Sequence, residues 1–326
     1  MNVTTADVRS LAEVRLTDAA AVGPKAAKLG EMLRAGLPVP PGFVVTADAY
    51  LRSMEAGGVR SGLALRYADT LLGCDTVGMT AVLAESSEAM ARLVRRAGLS
   101  VELAAQVYTA YVGLGVDVDG PAPVAVRPSS PDSDSGPVSA PVMHAYTTVR
   151  GTADLIERIV DCWAQMFGPR AVLRRSRSGA RAEPAVAVVV QVAIPAEKAG
   201  VASPARASNG RVDRVVLEAA WGRGEVVVSG RVHPDRYVVD ASDLRVTSVR
   251  AGRQEFEVIP GRDRPDVTVQ LEPRHAAVPV LTDQEAATIA GLALRADGLF
   301  AEPAAFEWAT AAGRTWLLEA RPVTRA

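Results

Sequence analysis

The apolar positions in the first half of the chain recur mainly at helical spacing. The clearest case runs from residue 152 to residue 167, where large apolar side chains fall near one face of a helix. Residues 51–122 are also mainly helical in pattern, with Thr80 and Ser100 as candidate N-caps. The stretch 170–183 is basic, polar and typical of a loop, and it separates this helical half from a strand-rich half.

Strand patterns dominate after this stretch. Residues 185–192 form a continuous apolar run, which predicts a strand buried on both faces. Thr282 and Glu285 form a capping box that opens a helix toward Phe300. Further strands are predicted at 215–218, 226–228, 236–239, 245–249, 255–259 and 267–271.

Two short strand-like runs near the C-terminus, 306–309 and 316–322, flank the segment 311–313. The glycine of Ala-Ala-Gly stands where a three-residue hairpin loop requires a left-handed residue. The sequence therefore predicts a hairpin in which Thr310 pairs with Arg314.

That register places Glu307 opposite Leu317 and one diagonal step from Glu319. Both carboxylates then share a face of the sheet with Arg321, whereas a two-residue turn would put them on opposite faces. Two carboxylates beside an arginine are typical of a site for a hard divalent cation, with the arginine reaching a phosphate oxygen. The alternative is a charged hairpin on a solvated surface.

A second candidate for phosphate binding lies near the N-terminus. Residues 22–30 enter a helix that ends at Gly36, so Lys25 falls in its first turn. A lysine there opposes the helix dipole unless an anion is bound nearby, and helix N-termini are good seats for phosphate.

A third candidate is Arg127, at the end of the short predicted strand 124–126. The next segment, 128–141, is almost entirely Ser, Pro, Asp and Gly. A loop of this composition either covers a ligand or only connects two elements.

Length and charge narrow the class of protein. A chain of 326 residues is expected to form two subdomains, which we place at 1–184 and 185–326. The net charge of −1 offers no basic field, so we expect neither nucleic acid nor a membrane as partner. The apolar runs are too short to span a bilayer, and no leader pattern is present, so the chain is predicted to be soluble and cytoplasmic.

Cys74 and Cys162 have no metal or redox spacing and are predicted to fill the core.

Several segments, taken in order and spacing, resemble the N-terminal ATP-binding domain of the phosphoenolpyruvate synthase, pyruvate phosphate dikinase and rifampicin phosphotransferase family. The resemblance covers almost the whole chain. The matching segments are 22–50, the strand ending in Arg127 with Ser129 and Ser130, 162–172, the Gln191 strand, 218–230, 234–237, 307–309 and 320–322.

The resemblance implies an α+β ATP-grasp fold with ATP and magnesium in the cleft between two subdomains. It also implies an ATP- and magnesium-dependent phosphotransferase that acts on a small-molecule acceptor. The residues carried over are Lys25, Arg127 and Arg321 as catalytic contacts to the phosphates, Glu307 and Glu319 as magnesium ligands, Gln191 with the Val192 backbone at the adenine, and Glu218 near the ribose.

The chain departs from the family pattern mainly on the phosphate side. Glu319 stands where the family usually has glutamine, and Ala305 where it has aspartate. Arg223 replaces a leucine between two glycines. Residues 139–142 replace Phe-Ala-Gly-Gln, and 203–207 replace Phe-Thr-x-Asp-Pro.

Full-length members of the family continue into a swivelling domain with a phospho-accepting histidine, whereas this sequence ends at Ala326. None of His144, His233 and His275 has the setting of that carrier histidine. Three interpretations follow: a self-contained kinase or acyl-phosphate-forming ligase, a subunit that works with a separate histidine-bearing protein, or a degenerate ATP-binding module with a regulatory or scaffolding role.

Overall fold

Helices and strands are mixed along the chain, as the α+β prediction requires. The computed structural model describes residues 6–73, 80–117, 120–130, 143, 145–179, 183–259, 261 and 266–323. The helices are α1 (Ala19–Arg34), α2 (Ala47–Ala56), α3 (Arg60–Gly73), α4 (Thr80–Ala97), α5 (Val101–Val112), α6 (Thr152–Ala164), α7 (Pro169–Arg177), α8 (Glu225–Val228), α9 (Pro273–Ala276) and α10 (Asp283–Asp297).

Within the described residues, the strands form two large sheets and two short ribbons. They are β1 (Val8–Ser10), β2 (Gly42–Val45), β3 (Val116–Asp117), β4 (Gly120–Pro121), β5 (Val124–Ser129), β6 (Tyr146–Val149), β7 (Ala187–Val192), β8 (Lys198–Arg206), β9 (Val212–Trp221), β10 (Asp235–Asp240), β11 (Val246–Arg250), β12 (Phe256–Ile259), β13 (Val267–Gln270), β14 (Ala304–Ala311) and β15 (Arg314–Pro322).

The chain divides into two compact units. The first holds the described parts of 6–30 and 41–193, and the second holds 31–40 together with the described parts of 194–323. The strand β7 therefore belongs to the first unit, whereas the sequence-based division at 184/185 places it in the second.

The first unit is built on an antiparallel sheet in the order β1-β2-β7-β5-β6. Its central strand β7 is buried along almost its whole length, as the continuous apolar run predicts. Valines from one face of β5 and β7 enter a core with apolar side chains of α2 to α6, among them Trp163. Ser100 caps α5, as predicted, and Thr46 caps α2.

The second unit is built on an antiparallel sheet in the order β11-β10-β9-β8-β14-β15. Helix α10 packs against β8, β9 and β14. Its predicted capping box is present, since Thr282 accepts a hydrogen bond from the Glu285 N–H and Glu285 accepts one from the Thr282 N–H.

Two local predictions are wrong. The valines of 226–228 lie in α8 and not in a strand, because Val226 and Val227 pack into a cluster with Ala220 and Val258 that overrides their strand propensity. The arginine-rich stretch predicted as a loop contains α7, which starts with a proline at its first turn and buries two apolar residues.

Across the described residues, no helix combines the length and the apolar character that crossing a lipid bilayer requires.

Candidate functional site

The C-terminal hairpin closes with a two-residue turn, so the predicted three-residue loop is wrong. Ala311 pairs with Arg314, and Ala312 and Gly313 both have positive φ angles, 48° and 71°. This is the conformation of a type I′ turn, whose twist matches that of the flanking strands. The prediction failed because alanine seldom adopts a left-handed conformation, and here Ala312 does.

A β-bulge in the hairpin corrects the register. Trp308 pairs with Leu317, but Glu307 pairs with Glu319, so Leu318 is an extra residue on β15. The extra residue reverses the alternation of side chains beyond it and returns Glu319 to the face of Glu307. The predicted pairing of Glu307 with Leu317 is wrong, whereas the predicted shared face of the two carboxylates is confirmed.

Arg321 binds both carboxylates on that face. Its Nη2 lies 2.6 Å from Glu307 Oε1, and its Nε donates to Glu319 Oε1 at 2.9 Å. The side chain of Glu319 is 4% exposed and that of Glu307 is 15% exposed, whereas that of Arg321 is 42% exposed. Two like charges directly opposite each other are unfavourable, and the guanidinium offsets their repulsion.

Glu218 lies in the same row of the sheet as these carboxylates. Val201 on β8 pairs with Glu307 on one side and with Glu218 on the other, so all three side chains point to one face. With one strand between them, Glu218 and Glu307 are about 10 Å apart across the sheet. Glu218 is exposed, and the next strand brings Arg236 opposite it.

Lys25 in the first unit lies at the start of the regular part of α1. Gly23 interrupts the helix with φ 75° and ψ 161°, and Pro24 follows as the first helical residue. The Ser129 hydroxyl, at the end of β5, accepts a hydrogen bond from the Ala26 N–H at 3.2 Å. A Cβ on residue 23 would lie 2.1 Å from the Ser129 carbonyl oxygen, so only glycine allows this approach.

Arg127 and Gln191 lie on one face of the first unit's sheet. Arg127 pairs with Val189, and Gln191 pairs with Ala125 and Gly42, so the alternation of side chains puts both polar residues on the face opposite the helical core. Gln191 is 1% exposed. The Val192 N–H donates to the Pro41 carbonyl at 2.9 Å, so this backbone donor is already in use.

The predicted site residues thus form two groups, one in each unit. Lys25, Arg127, Gln191 and Val192 belong to the first unit, and Glu218, Glu307, Glu319 and Arg321 to the second.

The carboxylate pair fits a magnesium ion in number and type of ligand. Among the described residues, no three acidic, histidine or cysteine side chains gather as a metal cluster. Mg²⁺ does not require one, because it is commonly held by one or two carboxylates while phosphate oxygens and water complete its octahedral shell.

Ser129 and Leu318 position site residues in ways that sequence reasoning missed. Ser129 belongs to a segment that resembles the family, but the sequence assigns it no role. Its contact with α1 joins residues that are far apart in the chain, so local patterns do not reveal it. The bulge at Leu318 has no signature in the sequence, because neighbouring residues show no glycine or proline that would mark it.

Some predictions fall outside the described residues. The altered loop at 139–142, Cys74 and His144 are among them, as is the His275 side chain. Cys162 is fully buried, as predicted, and burial raises the pKa of its thiol. His233 exchanges backbone hydrogen bonds with Arg253.

A small pocket of the first unit is lined by Ser130, Met166 and Arg174, among others. None of the predicted site residues lines this pocket.

A family model described as pyruvate phosphate dikinase, AMP/ATP-binding domain, matches residues 19–326.

The chain is similar to several archaeal proteins. A probable phosphoenolpyruvate synthase of Methanocaldococcus jannaschii is 33% identical over 317 residues, covering 96% of this chain and 26% of the relative. A probable phosphoenolpyruvate synthase of Archaeoglobus fulgidus is 32% identical, covering 96% of this chain and 41% of the relative. The phosphoenolpyruvate synthase of Aeropyrum pernix is 33% identical, covering 93% and 40%. The chain therefore spans less than half the length of these relatives.

Proposed function

The chain belongs to the pyruvate phosphate dikinase AMP/ATP-binding domain family, and from this premise we propose that it binds ATP with magnesium and serves phosphoryl transfer from that ATP. The phosphoryl group passes to a small-molecule acceptor, either directly or through a separate protein that carries a phospho-accepting histidine. The ATP-grasp architecture is part of the same proposal.

The observation that carries the proposal is the arrangement of Glu307, Glu319 and Arg321 on one sheet face. The two carboxylate oxygens that face the guanidinium lie 2.6 and 2.9 Å from it. A magnesium–triphosphate complex presents a hard cation and anionic oxygens, which are the partners that carboxylates and an arginine bind. A purely structural ion pair would need only one of the two carboxylates.

The position of Glu218 supports the same assignment. It lies in the row of Glu307, about 10 Å away with one strand between them. This separation suits the distance between the terminal phosphates and the ribose of one nucleotide. Glu218 would then accept hydrogen bonds from the ribose hydroxyl groups.

Lys25 and Arg127 would supply positive charge to the phosphates. Lys25 is only 8% exposed and stands in the first turn of a helix, the end at which the helix dipole favours an anion. Gln191 and the Val192 carbonyl would border the adenine. Bound magnesium would neutralise charge on the transferred phosphoryl group, and Arg321 would hold that group in line with its acceptor.

The comparison with longer relatives is consistent with transfer through a histidine that lies outside the matched region. Relatives named phosphoenolpyruvate synthase match this chain over only 26–45% of their length. The acceptor chemistry of such proteins would then belong to residues outside the matched region. The presence of Lys25, Arg127, Glu307 and Arg321, with Glu319 still offering an oxygen ligand, favours an active site over a degenerate module.

Binding of ATP is tested by its effect on stability. At a nucleotide concentration a hundredfold above the dissociation constant, ATP with Mg²⁺ should stabilise the fold by about 2.7 kcal/mol, seen as a rise in melting temperature. The Glu307→Gln/Glu319→Gln variant should lose the magnesium-dependent part of this rise. The absence of any rise with millimolar ATP and Mg²⁺, or an equal rise in the double variant, would refute the site.

The route of transfer is tested by the products. Transfer through a histidine-bearing partner predicts AMP, and a partner that gains the mass of one phosphoryl group, only when that partner is added. Direct transfer predicts ADP in the presence of the acceptor alone. A degenerate module would form neither product while still binding ATP.

A further inference from the structure

Arg321 contacts both of the carboxylates that the proposed function assigns to magnesium. Its Nη2 lies 2.6 Å from Glu307 Oε1, and its Nε lies 2.9 Å from Glu319 Oε1. One guanidinium thus joins two carboxylates that stand directly opposite each other on β14 and β15. The geometry is that of a cation held between two anionic ligands.

A divalent metal ion would compete with Arg321 for these oxygens. Mg²⁺ binds carboxylate oxygens at about 2.1 Å, so an ion bridging Glu307 and Glu319 would lie within a few ångströms of the guanidinium. The charges of the ion and the guanidinium would repel each other strongly, because Glu319 is 4% exposed and water screens its surroundings little. Metal and arginine therefore cannot keep the same contacts.

Arg321 is able to leave this position because part of it already reaches solvent. Its side chain is 42% exposed, ten times the exposed fraction of Glu319. A triphosphate offers the guanidinium new anionic partners, with the two-pronged geometry that arginine favours. It also supplies the metal with the further oxygen ligands that two carboxylates do not provide.

We propose that Arg321 is an internal counter-ion that occupies the metal's place until the nucleotide arrives, so that metal and nucleotide bind cooperatively. The inference rests on the proposed function, since it takes Glu307 and Glu319 as the metal ligands. Without nucleotide, the arginine keeps metal affinity low. With nucleotide, the arginine moves to the phosphates and the carboxylates bind the metal. Linkage then requires the metal to raise nucleotide affinity by the same factor.

The test measures binding of Mn²⁺ alone, from the electron paramagnetic resonance signal of the free ion. Arg321→Gln should bind Mn²⁺ without nucleotide at least about tenfold more tightly than the native protein, a difference of about 1.4 kcal/mol. Arg321→Lys should fall between the two, because an ammonium cannot bind two carboxylates with a rigid fork. In the native protein, ATP should tighten Mn²⁺ binding, and Arg321→Gln should reduce that coupling.

Arg314→Gln is the matched control. Arg314 lies on the same strand, with its guanidinium 3.7 Å from the centre of the Trp316 ring, and it should leave Mn²⁺ affinity unchanged. Circular dichroism would confirm that the variants fold, and Arg321→Lys provides a second test if Arg321→Gln does not.

Two negative results would distinguish failure of the counter-ion role from failure of the proposed function. If the native protein binds ATP with Mn²⁺ but neither Arg321 variant binds Mn²⁺ alone more tightly, the counter-ion role is wrong. If Mn²⁺ with ATP fails to bind to the native protein, the proposed function itself is wrong.

Discussion

Glu307 and Glu319 lie directly opposite each other on neighbouring strands, although a regular hairpin with the observed two-residue turn would put them on opposite faces. The bulge at Leu318 makes this possible by adding one residue to β15. The side chains of these two carboxylates are only 15% and 4% exposed. Their repulsion is offset by Arg321, so the stability of the hairpin depends on one cation shared by two anions.

The first prediction concerns the dependence of hairpin stability on Arg321. Arg321→Gln should lower the free energy of unfolding by about 1–2 kcal/mol in the absence of metal, because it leaves two partly buried carboxylates without their cation. Adding Glu319→Gln to that variant should restore part of the loss, since the repulsion disappears. Urea denaturation of both single variants and the double variant forms a cycle that measures this coupling.

Arg314→Gln again serves as the control, because Arg314 stacks on Trp316 and forms no ion pair with these carboxylates. Its effect should be the same with and without Glu319→Gln. Additive effects of Arg321→Gln and Glu319→Gln would contradict the shared-cation account.

The second prediction separates the local and functional roles of Ser129. Ser129 and Thr46 are both buried, and each accepts one hydrogen bond from a backbone N–H of a first helical turn, at 3.2 and 3.3 Å. Ser129→Ala and Thr46→Ala should therefore each cost about 1 kcal/mol of stability. Only Ser129→Ala should also weaken ATP binding, because Ser129 fixes the turn that carries Lys25 to the strand that carries Arg127.

Isothermal titration with ATP and Mg²⁺ measures the difference. Equal affinities in the two variants would show that Ser129 acts on stability alone.

The third prediction concerns pH and Glu285. Burial raises the pKa of this carboxyl, but hydrogen bonds from the Lys198 ammonium at 2.6 Å and from Thr282 outweigh it and leave the pKa below the ordinary 4.5. A lowered pKa in the folded state means stabilisation that is complete above 4.5 and lost as the pH falls through the folded-state pKa. Glu285→Gln should thus cost about 1 kcal/mol at pH 7 and progressively less below pH 4.5.

Thermal unfolding between pH 3 and pH 7 tests this on the native protein and on Glu285→Gln. With Lys198→Met as background, the cost of Glu285→Gln should shrink at pH 7, because its strongest partner is gone. A cost that does not vary with pH would contradict the role of the ionised carboxylate.

Local patterns in the sequence predicted most elements of the fold. The capping box at Thr282, the cap at Ser100 and the buried strand β7 depend on neighbouring residues only, and all three are confirmed. The helix α8 was missed because its valines form strands by propensity and are helical only through packing against Ala220 and Val258.

The shared face of Glu307, Glu319 and Arg321 could be predicted from the sequence, but the strand pairing that produces it could not. Residue types and the family resemblance identified Glu307, Glu319 and Arg321, whereas the pairing of the strands depends on a left-handed Ala312 and an extra Leu318. Those two departures from a regular three-residue hairpin compensate each other, which is why a wrong register still predicted a correct shared face.

The last prediction concerns Ala305, which lies directly opposite Arg321 on β14. The family usually has aspartate at this position and glutamine at that of Glu319, so exchanging both residues moves one carboxylate across the hairpin and leaves the net charge unchanged. In Glu319→Gln, the added substitution Ala305→Asp should be neutral or stabilising, because Arg321 regains a second carboxylate partner. In the native protein, Ala305→Asp should destabilise by about 1 kcal/mol, since three carboxylates would then share one guanidinium.

Free energies of unfolding in urea measure this reversal of sign, and Ala312→Asp, at the exposed turn of the same hairpin, should show the same effect in both backgrounds. The exchanged variant should also keep its rise in melting temperature with ATP and Mg²⁺, because a carboxylate at 307 and an amide oxygen at 319 still offer hard oxygen ligands. If Ala305→Asp has the same sign in both backgrounds, Arg321 does not set the balance of charge at this site.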